Sequence, residues 1–146
     1  MSVYIPASLK RQVREQYANC CAYCHTNEEL TVAIFEVEHI VPLTAGGETA
    51  LDNLCLSCPT CNWYKVSRLT AVDPQTNTTA PLYNPQQEQW PDHFSWNEDK
   101  TELIGLTPSG RATILVLRMN RPQLIRVRRM WVKMGEHPPL LHPNNG

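Results

Sequence analysis

Four cysteines arranged in two closely spaced pairs carry the strongest chemical signal in this 146-residue chain. Cys21 and Cys24 form the first pair, and Cys58 and Cys61 form the second. A Cys-x-x-Cys turn presents two thiolates to one tetrahedral zinc ion at about 2.3 Å, and two such turns leave no coordination position open for water. The spacing therefore predicts a structural Zn²⁺ bound by all four sulfurs, with a β-hairpin inserted in the long gap between the pairs.

The two remaining cysteines, Cys20 and Cys55, are predicted to be small buried apolar residues. Because Cys20 directly precedes Cys21, the register of the first pair stays open at the level of sequence. Redox-active thiol pairs show the same spacing. A thiol redox protein is therefore a competing interpretation, which a zinc content near zero would favour.

Between the two pairs lie residues that are able to bind a metal and to move a proton. The run Glu38-His39-Ile40-Val41-Pro42 is followed by Gly46-Gly47 and by Asp52-Asn53-Leu54; Asn62 comes directly after the second pair, and Lys65 lies three residues further on. In this order they resemble the HNH nuclease family, the ββα-metal fold. That family's pattern is a Cys pair, an acidic residue with His-Ile and a proline, an Asn-Leu, a second Cys pair, then His or Asn with a nearby Lys. Three later segments resemble a bacterial HNH subfamily less specifically: 81–85, 93–96 and 110–113.

The resemblance implies a role for each of these side chains. His39 would be the general base that takes a proton from the attacking water, because the pKa of imidazole lies near neutrality. Glu38 and Asn62 would bind the catalytic divalent ion, Mg²⁺ or Mn²⁺, through oxygen atoms. Successive residues of a strand face opposite ways, so Glu38 and His39 can serve one site only if the strand ends or bends there. Asn53 would tie the loop to the backbone and so orient His39.

Two positions depart from the most frequent residues of the family. Asn62 stands where many members have His, and Glu38 stands where Asp is more frequent. Asn variants are common in the family, so Asn62 does not imply an inactive protein. An amide oxygen in place of an imidazole nitrogen favours hard, oxygen-preferring ions.

Basic residues are concentrated near the C-terminus, although the net charge of the chain is only −1. Residues 28–102 hold twelve acids and three bases, whereas residues 103–135 hold seven bases and no acid. In a helix predicted over 121–134, Arg126, Arg129 and Lys133 lie opposite an apolar stripe formed by Leu124, Val127, Trp131 and Met134. This basic side is either an ordinary solvated face or a surface that contacts phosphates. The predicted nucleic-acid contacts are Lys65, Arg68, Arg126, Arg129 and Lys133.

Periodicity and breaking residues predict the elements that position these side chains. In the first half of the chain, the sequence predicts a helix over 7–19 capped by Ser8, a β segment over about 33–41, and a helix from Asn62 to about Leu69. In the second half it predicts a surface tether over 70–91 anchored by Leu82, Tyr83 and Trp90, a strand pair over 94–106, a helix from Thr107-Pro108 to about Met119, and a last helix capped by Asn120 and closed by Gly135.

These elements predict one α+β domain. A zinc-stapled ββα-metal core of the HNH, treble-clef-like kind would span 1–72, and a C-terminal extension over 73–146 would pack on it with a strand pair and two helices. The expected function is that of a metal-dependent DNA endonuclease that hydrolyses phosphodiester bonds. The alternative is a non-catalytic zinc-stabilised nucleic-acid-binding module, which has no need of a base beside a metal ligand. DNA is the expected partner; a homo-oligomer or a larger nuclease complex stays open.

Targeting signals are not expected in this chain. There is no run of 18 apolar residues, and Met1 to Pro6 lack a charged segment followed by an apolar one. We therefore expect a cytoplasmic, bacterial-type protein whose cysteines are reduced and available to a metal. His25, His93, His137 and His142 belong to no such pattern and are expected to be surface or structural residues.

Overall fold

The structure of the protein, a computed structural model, describes residues 4–140. Within that range the chain forms five α-helices and six β-strands, and the strands make three antiparallel pairs. In chain order the elements are α1 (Ala7–Gln16), β1 (Glu36–His39), β2 (Leu54–Ser57), α2 (Pro59–Lys65), β3 (Thr70–Val72), β4 (Thr79–Pro81), α3 (Trp90–His93), β5 (Phe94–Trp96), β6 (Leu103–Gly105), α4 (Pro108–Val116) and α5 (Pro122–Lys133). The predicted α+β class is confirmed.

The strands β1 and β2, followed by α2, form a ββα unit between the two cysteine pairs. β1 and β2 are antiparallel, with Glu38 opposite Cys55 and His39 opposite Leu54. All four residues of β2 are buried, whereas every residue of β1 keeps some exposure to solvent. The hairpin therefore presents β1 at the surface and uses β2 to anchor it to the core.

Helix α2 begins and ends earlier than the sequence predicts. It starts at Pro59 rather than Asn62, because Cys58 is the N-cap and its sulfur accepts a hydrogen bond from the backbone N–H of Cys61 at 3.4 Å. Proline is well suited to the first helical position, where no N–H is needed. The helix stops at Lys65, since the next residue adopts φ 49° and leaves the right-handed helical region.

Helix α1 is shorter than predicted, and Ser8 is not its cap. Pro6 occupies the N-cap position without a side-chain hydrogen bond, and Ser8 lies inside the first turn. The helix ends at Gln16 because Ala18 and Asn19 take positive φ angles of 52° and 59°. Val13 is fully buried, so the predicted apolar side of the helix does face the core.

The segment 70–91 is more ordered than a tether. Its first part forms the β3–β4 hairpin, whose turn is closed by the buried carboxylate of Asp73. That carboxylate accepts hydrogen bonds from the Gln75 N–H and the Thr76 hydroxyl, and two more from Arg111 on α4. The predicted anchors are buried as expected: Leu82, Tyr83 and Trp90.

The C-terminal elements follow the prediction with two corrections. The strand pair β5–β6 is present, and the Thr107 hydroxyl caps α4 by accepting from the Gly110 N–H. Asn120, however, is not the cap of α5: its side chain bonds the backbone N–H and carbonyl of Leu103. Met134 is 64% exposed and does not belong to the buried stripe of α5, where Arg128 is found instead.

The core is shared by both parts of the chain. One cluster of buried residues includes Val13, Tyr23 and Leu56 from the first 72 residues and Phe94 and Trp131 from later ones. A hydrogen bond between the two parts supports this packing, since the Trp90 indole N–H donates to the carbonyl of Tyr23 at 2.9 Å. Within residues 4–140, no helix is long and apolar enough to cross a membrane.

Candidate metal centre and active site

The four paired cysteines converge in one buried cluster. Their sulfur atoms lie within 4.8 Å of one another, and the sulfurs of Cys24 and Cys58 are 3.8 Å apart. Tetrahedral zinc with ligand distances of about 2.3 Å would place its sulfurs about 3.8 Å apart. Among the described residues, this is the one group of three or more Cys, His, Asp or Glu side chains that comes so close. The arrangement fits a closed, structural zinc site.

The register of the first pair is also resolved. Cys21 belongs to the cluster, whereas Cys20 lies outside it and forms an isolated β-bridge with Asn27. Cys55 lies on β2, away from the cluster, with its sulfur 3.7 Å from the Tyr23 hydroxyl. Burial raises the pKa of Cys20 to about 12, so that thiol stays neutral. Cys20 and Cys55, the two cysteines outside the cluster, are both buried, as predicted.

The other histidines within residues 4–140 occupy structural positions. His25 is buried and stacks on Trp90 with ring centroids 3.8 Å apart, and burial lowers the pKa of this histidine to about 3. His93 bonds the hydroxyl that caps α4, and His137 bonds a backbone carbonyl of the β5–β6 turn. The expectation for His142 lies outside the described residues.

His39 is the last residue of β1, and a network of hydrogen bonds holds the loop that follows. Its Nε2 lies 2.8 Å from the Thr49 hydroxyl. The Asn53 amide oxygen accepts from the Val41 N–H at 2.9 Å, while its nitrogen donates to the carbonyls of Val41 and Glu48 at 3.0 and 2.9 Å. These are bonds of the kind that the sequence predicts for Asn53. The strand ends at His39, which is the condition for Glu38 and His39 to serve one site.

The approach of this loop to β1 requires glycine at position 47. A Cβ atom there would lie 1.9 Å from the Val41 carbonyl oxygen and 2.8 Å from the Asn53 amide nitrogen. Any side chain would therefore push the loop away from its anchor. The Gly46-Gly47 pair thus allows the loop to close over the end of β1.

Glu38 is partly buried in β1. Its carboxylate is 3.8 Å from the sulfur of Cys55. Burial raises the pKa of Glu38 to about 7, against the opposing influence of the Lys65 ammonium and of hydrogen bonds from Tyr23 and Cys55. A bound cation would favour the ionised form of such a carboxylate. His39 is also affected by burial, which lowers its pKa below the usual 6.5 and leaves the imidazole neutral at pH 7.

Lys65 differs from its predicted role as a phosphate contact. It is 2% exposed, and its ammonium donates to the carbonyl of Ile40 at 2.9 Å. In this position it supports the chain just after β1 and faces Glu38, so contact with a phosphate would require it to leave the core. Arg68, in contrast, is exposed, and its Nε bonds only the carbonyl of Tyr64 at 3.3 Å among the described residues.

Asn62 meets β1 through a glutamate that the sequence analysis did not single out. The Asn62 amide nitrogen donates to a carboxylate oxygen of Glu36 at 2.9 Å. Glu36 and Glu38 are two residues apart on a strand, so they share a face. That alternation was visible in the sequence and could have indicated Glu36. Nothing in the pattern indicated Thr49, because its partner lies ten residues away across a loop.

Five of the seven basic C-terminal residues divide into two groups. Arg126, Arg129 and Lys133 are exposed on α5, as predicted. Arg111 is paired with Asp73 through two bonds of 2.9 Å, and Arg128 is fully buried, donating to the carbonyls of Thr101 and Met119. The predicted basic face is therefore smaller than the count of seven bases implies, since two of these side chains serve internal contacts.

Comparison with known proteins identifies the same segment of the chain. The family model described as HNH endonuclease matches residues 21–68, which contain both cysteine pairs, β1, β2 and α2. The chain has no significant match among curated proteins or among solved structures. Residues 21–68 of this chain are thus similar to HNH endonucleases, and the cysteine cluster fits the zinc subclass of that family.

Proposed function

We propose that the protein is a metal-dependent endonuclease that hydrolyses phosphodiester bonds in DNA. The observation that carries this proposal is the position of His39, which ends β1 inside the HNH-like segment as a neutral, half-buried imidazole. Neutral imidazole is the form that accepts a proton. A purely structural zinc module would have no need for such a group.

His39 would act as the general base. In the tautomer whose Nε2–H donates to the Thr49 hydroxyl, the lone pair on Nδ1 would be available to a water molecule. Thr49 would thereby orient the imidazole, and Asn53 would hold the loop that carries Thr49 in place. The water, once deprotonated, would attack the phosphorus and displace the 3′ oxygen.

Glu38 and Asn62 would hold the catalytic cation, Mg²⁺ or Mn²⁺. The donor set is a carboxylate oxygen with an amide oxygen, which suits hard divalent ions. The contact between Asn62 and Glu36 supports this assignment, because it brings the amide of α2 to the acidic face of β1. When bound, the ion supplies charge stabilisation at the phosphate and at the leaving oxygen. The zinc in the cysteine cluster would be structural and take no part in the reaction.

Cleavage of supercoiled plasmid DNA tests this proposal. The wild-type protein should nick or linearise the plasmid with Mg²⁺ or Mn²⁺ and lose this activity when the added ion is omitted. His39→Ala should fold, keep its zinc and cleave about 10²–10⁴ times more slowly.

Asp52→Asn is the matched control, because Asp52 is an exposed polar side chain of the same loop. It should cleave at the wild-type rate. Equal cleavage by His39→Ala and the wild type would overturn the catalytic role of His39. DNA binding without cleavage under all metal conditions would favour the non-catalytic module instead.

A further inference from the structure

Trp63 stands out among the tryptophans of the described chain because it is turned to solvent. It is 76% exposed, whereas Trp90 and Trp131 are 5% and 9% exposed. Its neighbours on α2 account for this: Cys61 and Lys65 are buried, so the side chain between them points outward. Tryptophan buries more apolar area than most residues when it finds a partner. An exposed indole on a rigid helix therefore indicates a binding surface rather than a folding contact.

The indole lies in a depression next to the proposed active site. The depression has a volume of about 540 Å³ and is lined by Asn62, Trp63, Val66 and Ser67. Val66 is 68% exposed and adopts φ 49° and ψ −116°, a strained conformation for a β-branched residue. The chain thus places a second apolar side chain in solvent beside the indole.

Positive charge flanks this apolar surface. Arg68 is exposed just beyond α2, and the guanidinium of Arg118 stacks over the ring of Tyr64 at 4.6 Å. Tyr64 and Arg118, together with Arg121, line a neighbouring depression whose lining contains no carboxylate. The exposed indole thus lies between the proposed active site and several arginines. Such a surface is suited to a ligand that carries both negative charge and aromatic rings. A nucleic-acid strand has both, in its phosphates and its bases.

We propose that Trp63 and Val66 form a binding surface for one unstacked nucleobase, adjacent to the proposed cation site at Asn62. The base would stack on the indole face, and Val66 would contact its edge. An intact duplex hides its base faces, so the preferred substrate is single-stranded or locally opened DNA. This inference rests on the proposed function for the place of the phosphate, but the stacking itself does not depend on cleavage.

Binding of a fluorescein-labelled deoxythymidine oligonucleotide, measured by anisotropy, tests the surface. All variants carry His39→Ala and no Mg²⁺ is added, so cleavage does not interfere. Trp63→Ala should bind the single strand about 5- to 150-fold more weakly, the loss expected for one base–aromatic stack. Trp63→Phe keeps a ring and should stay within about threefold of the parent. Ile34→Ala is the control, because Ile34 is 79% exposed on another part of the surface, and it should bind normally.

A second measurement locates the contact. An oligonucleotide with 5-iododeoxyuridine should photo-crosslink to the peptide that contains Trp63, and intact duplex of the same sequence should compete weakly. Unchanged affinity of Trp63→Ala, or an equal loss for duplex and single strand, would overturn the inference. So would a change of oligomeric state in Trp63→Ala without DNA, since the surface would then serve a second copy of this chain.

The two proposals fail in different ways. If plasmid is never cut but Trp63→Ala loses single-strand binding and the crosslink maps to Trp63, the base surface is confirmed and the nuclease proposal is wrong. If plasmid is cut and Trp63→Ala binds like its parent, the nuclease proposal stands and the base surface is rejected.

Discussion

The cysteine cluster and the surface at the end of β1 come from the same 48-residue segment, 21–68, yet they are built in opposite ways. The cluster is closed: four buried sulfurs lie within 4.8 Å and leave no room for water. The polar site is open, with His39 half buried and the Glu36–Asn62 pair at the surface. Closed coordination stabilises a fold, whereas open coordination leaves positions for a substrate. The closed site is suited to holding the hairpin and helix together, and the open site is suited to the substrate of the proposed reaction.

The largest effect should come from breaking the closed site. Cys58→Ala removes one thiolate, and structural zinc accounts for an apparent binding energy of about 10–16 kcal/mol, which is comparable to the stability of a whole domain. We expect an insoluble or unfolded protein with little zinc, measured by circular dichroism and metal analysis.

Cys20→Ala is the control for that experiment, because Cys20 is as buried as the ligands but lies outside the cluster. It should fold and keep one zinc ion per chain. A Cys58→Ala protein that folds with full zinc content would show that four-cysteine coordination is wrong.

A smaller effect is expected from loosening the open site. Asn53→Ala removes three hydrogen bonds between the loop and the backbone around Val41 and Glu48. Each hydrogen bond makes a net contribution of about 1 kcal/mol to stability, so the free energy of unfolding should fall by about 1–3 kcal/mol. Cleavage should fall by more than the folded fraction explains, because Thr49 would no longer be held against His39.

That prediction is checked by urea denaturation together with cleavage rates at a temperature where the variant is fully folded. Zinc content should not change. If the folded variant cleaves as fast as the wild type, the loop does not position His39, and Asn53 serves stability alone.

The smallest effect on the fold should come from the exposed basic stripe of α5. Replacing Arg126, Arg129 and Lys133 with Gln should barely change the melting temperature, because exposed charges contribute little to stability. If these residues contact phosphates, the slope of log K against log salt for duplex DNA should flatten by about 2–3 units.

Arg128→Gln is the contrasting variant on the same helix. Arg128 is fully buried and bonds two backbone carbonyls, so its loss should lower the melting temperature and leave the salt slope unchanged. An unaltered slope in the triple variant would mean that the stripe is only a solvated face. The search for phosphate contacts would then turn to Arg68, Arg118 and Arg121.

Features that depend on short spacing along the chain were predictable from the amino-acid sequence. Two Cys-x-x-Cys turns predicted the cluster, and Thr107-Pro108 predicted the start of α4. The β segment predicted over about 33–41 contains β1, although the strand is shorter and occupies only Glu36–His39. Such patterns succeed because the geometry of a turn, a cap or a strand involves residues only a few positions apart.

The positions of the long polar side chains, in contrast, depend on the folded arrangement of distant segments. A lysine or arginine has the reach to turn inward or outward, and the choice depends on carbonyls supplied from distant elements. Lys65 turns inward because Ile40 presents its carbonyl, and Arg128 because Thr101 and Met119 present theirs. Trp63 is exposed to solvent because no other element of the described chain packs against the side of α2 that carries its indole.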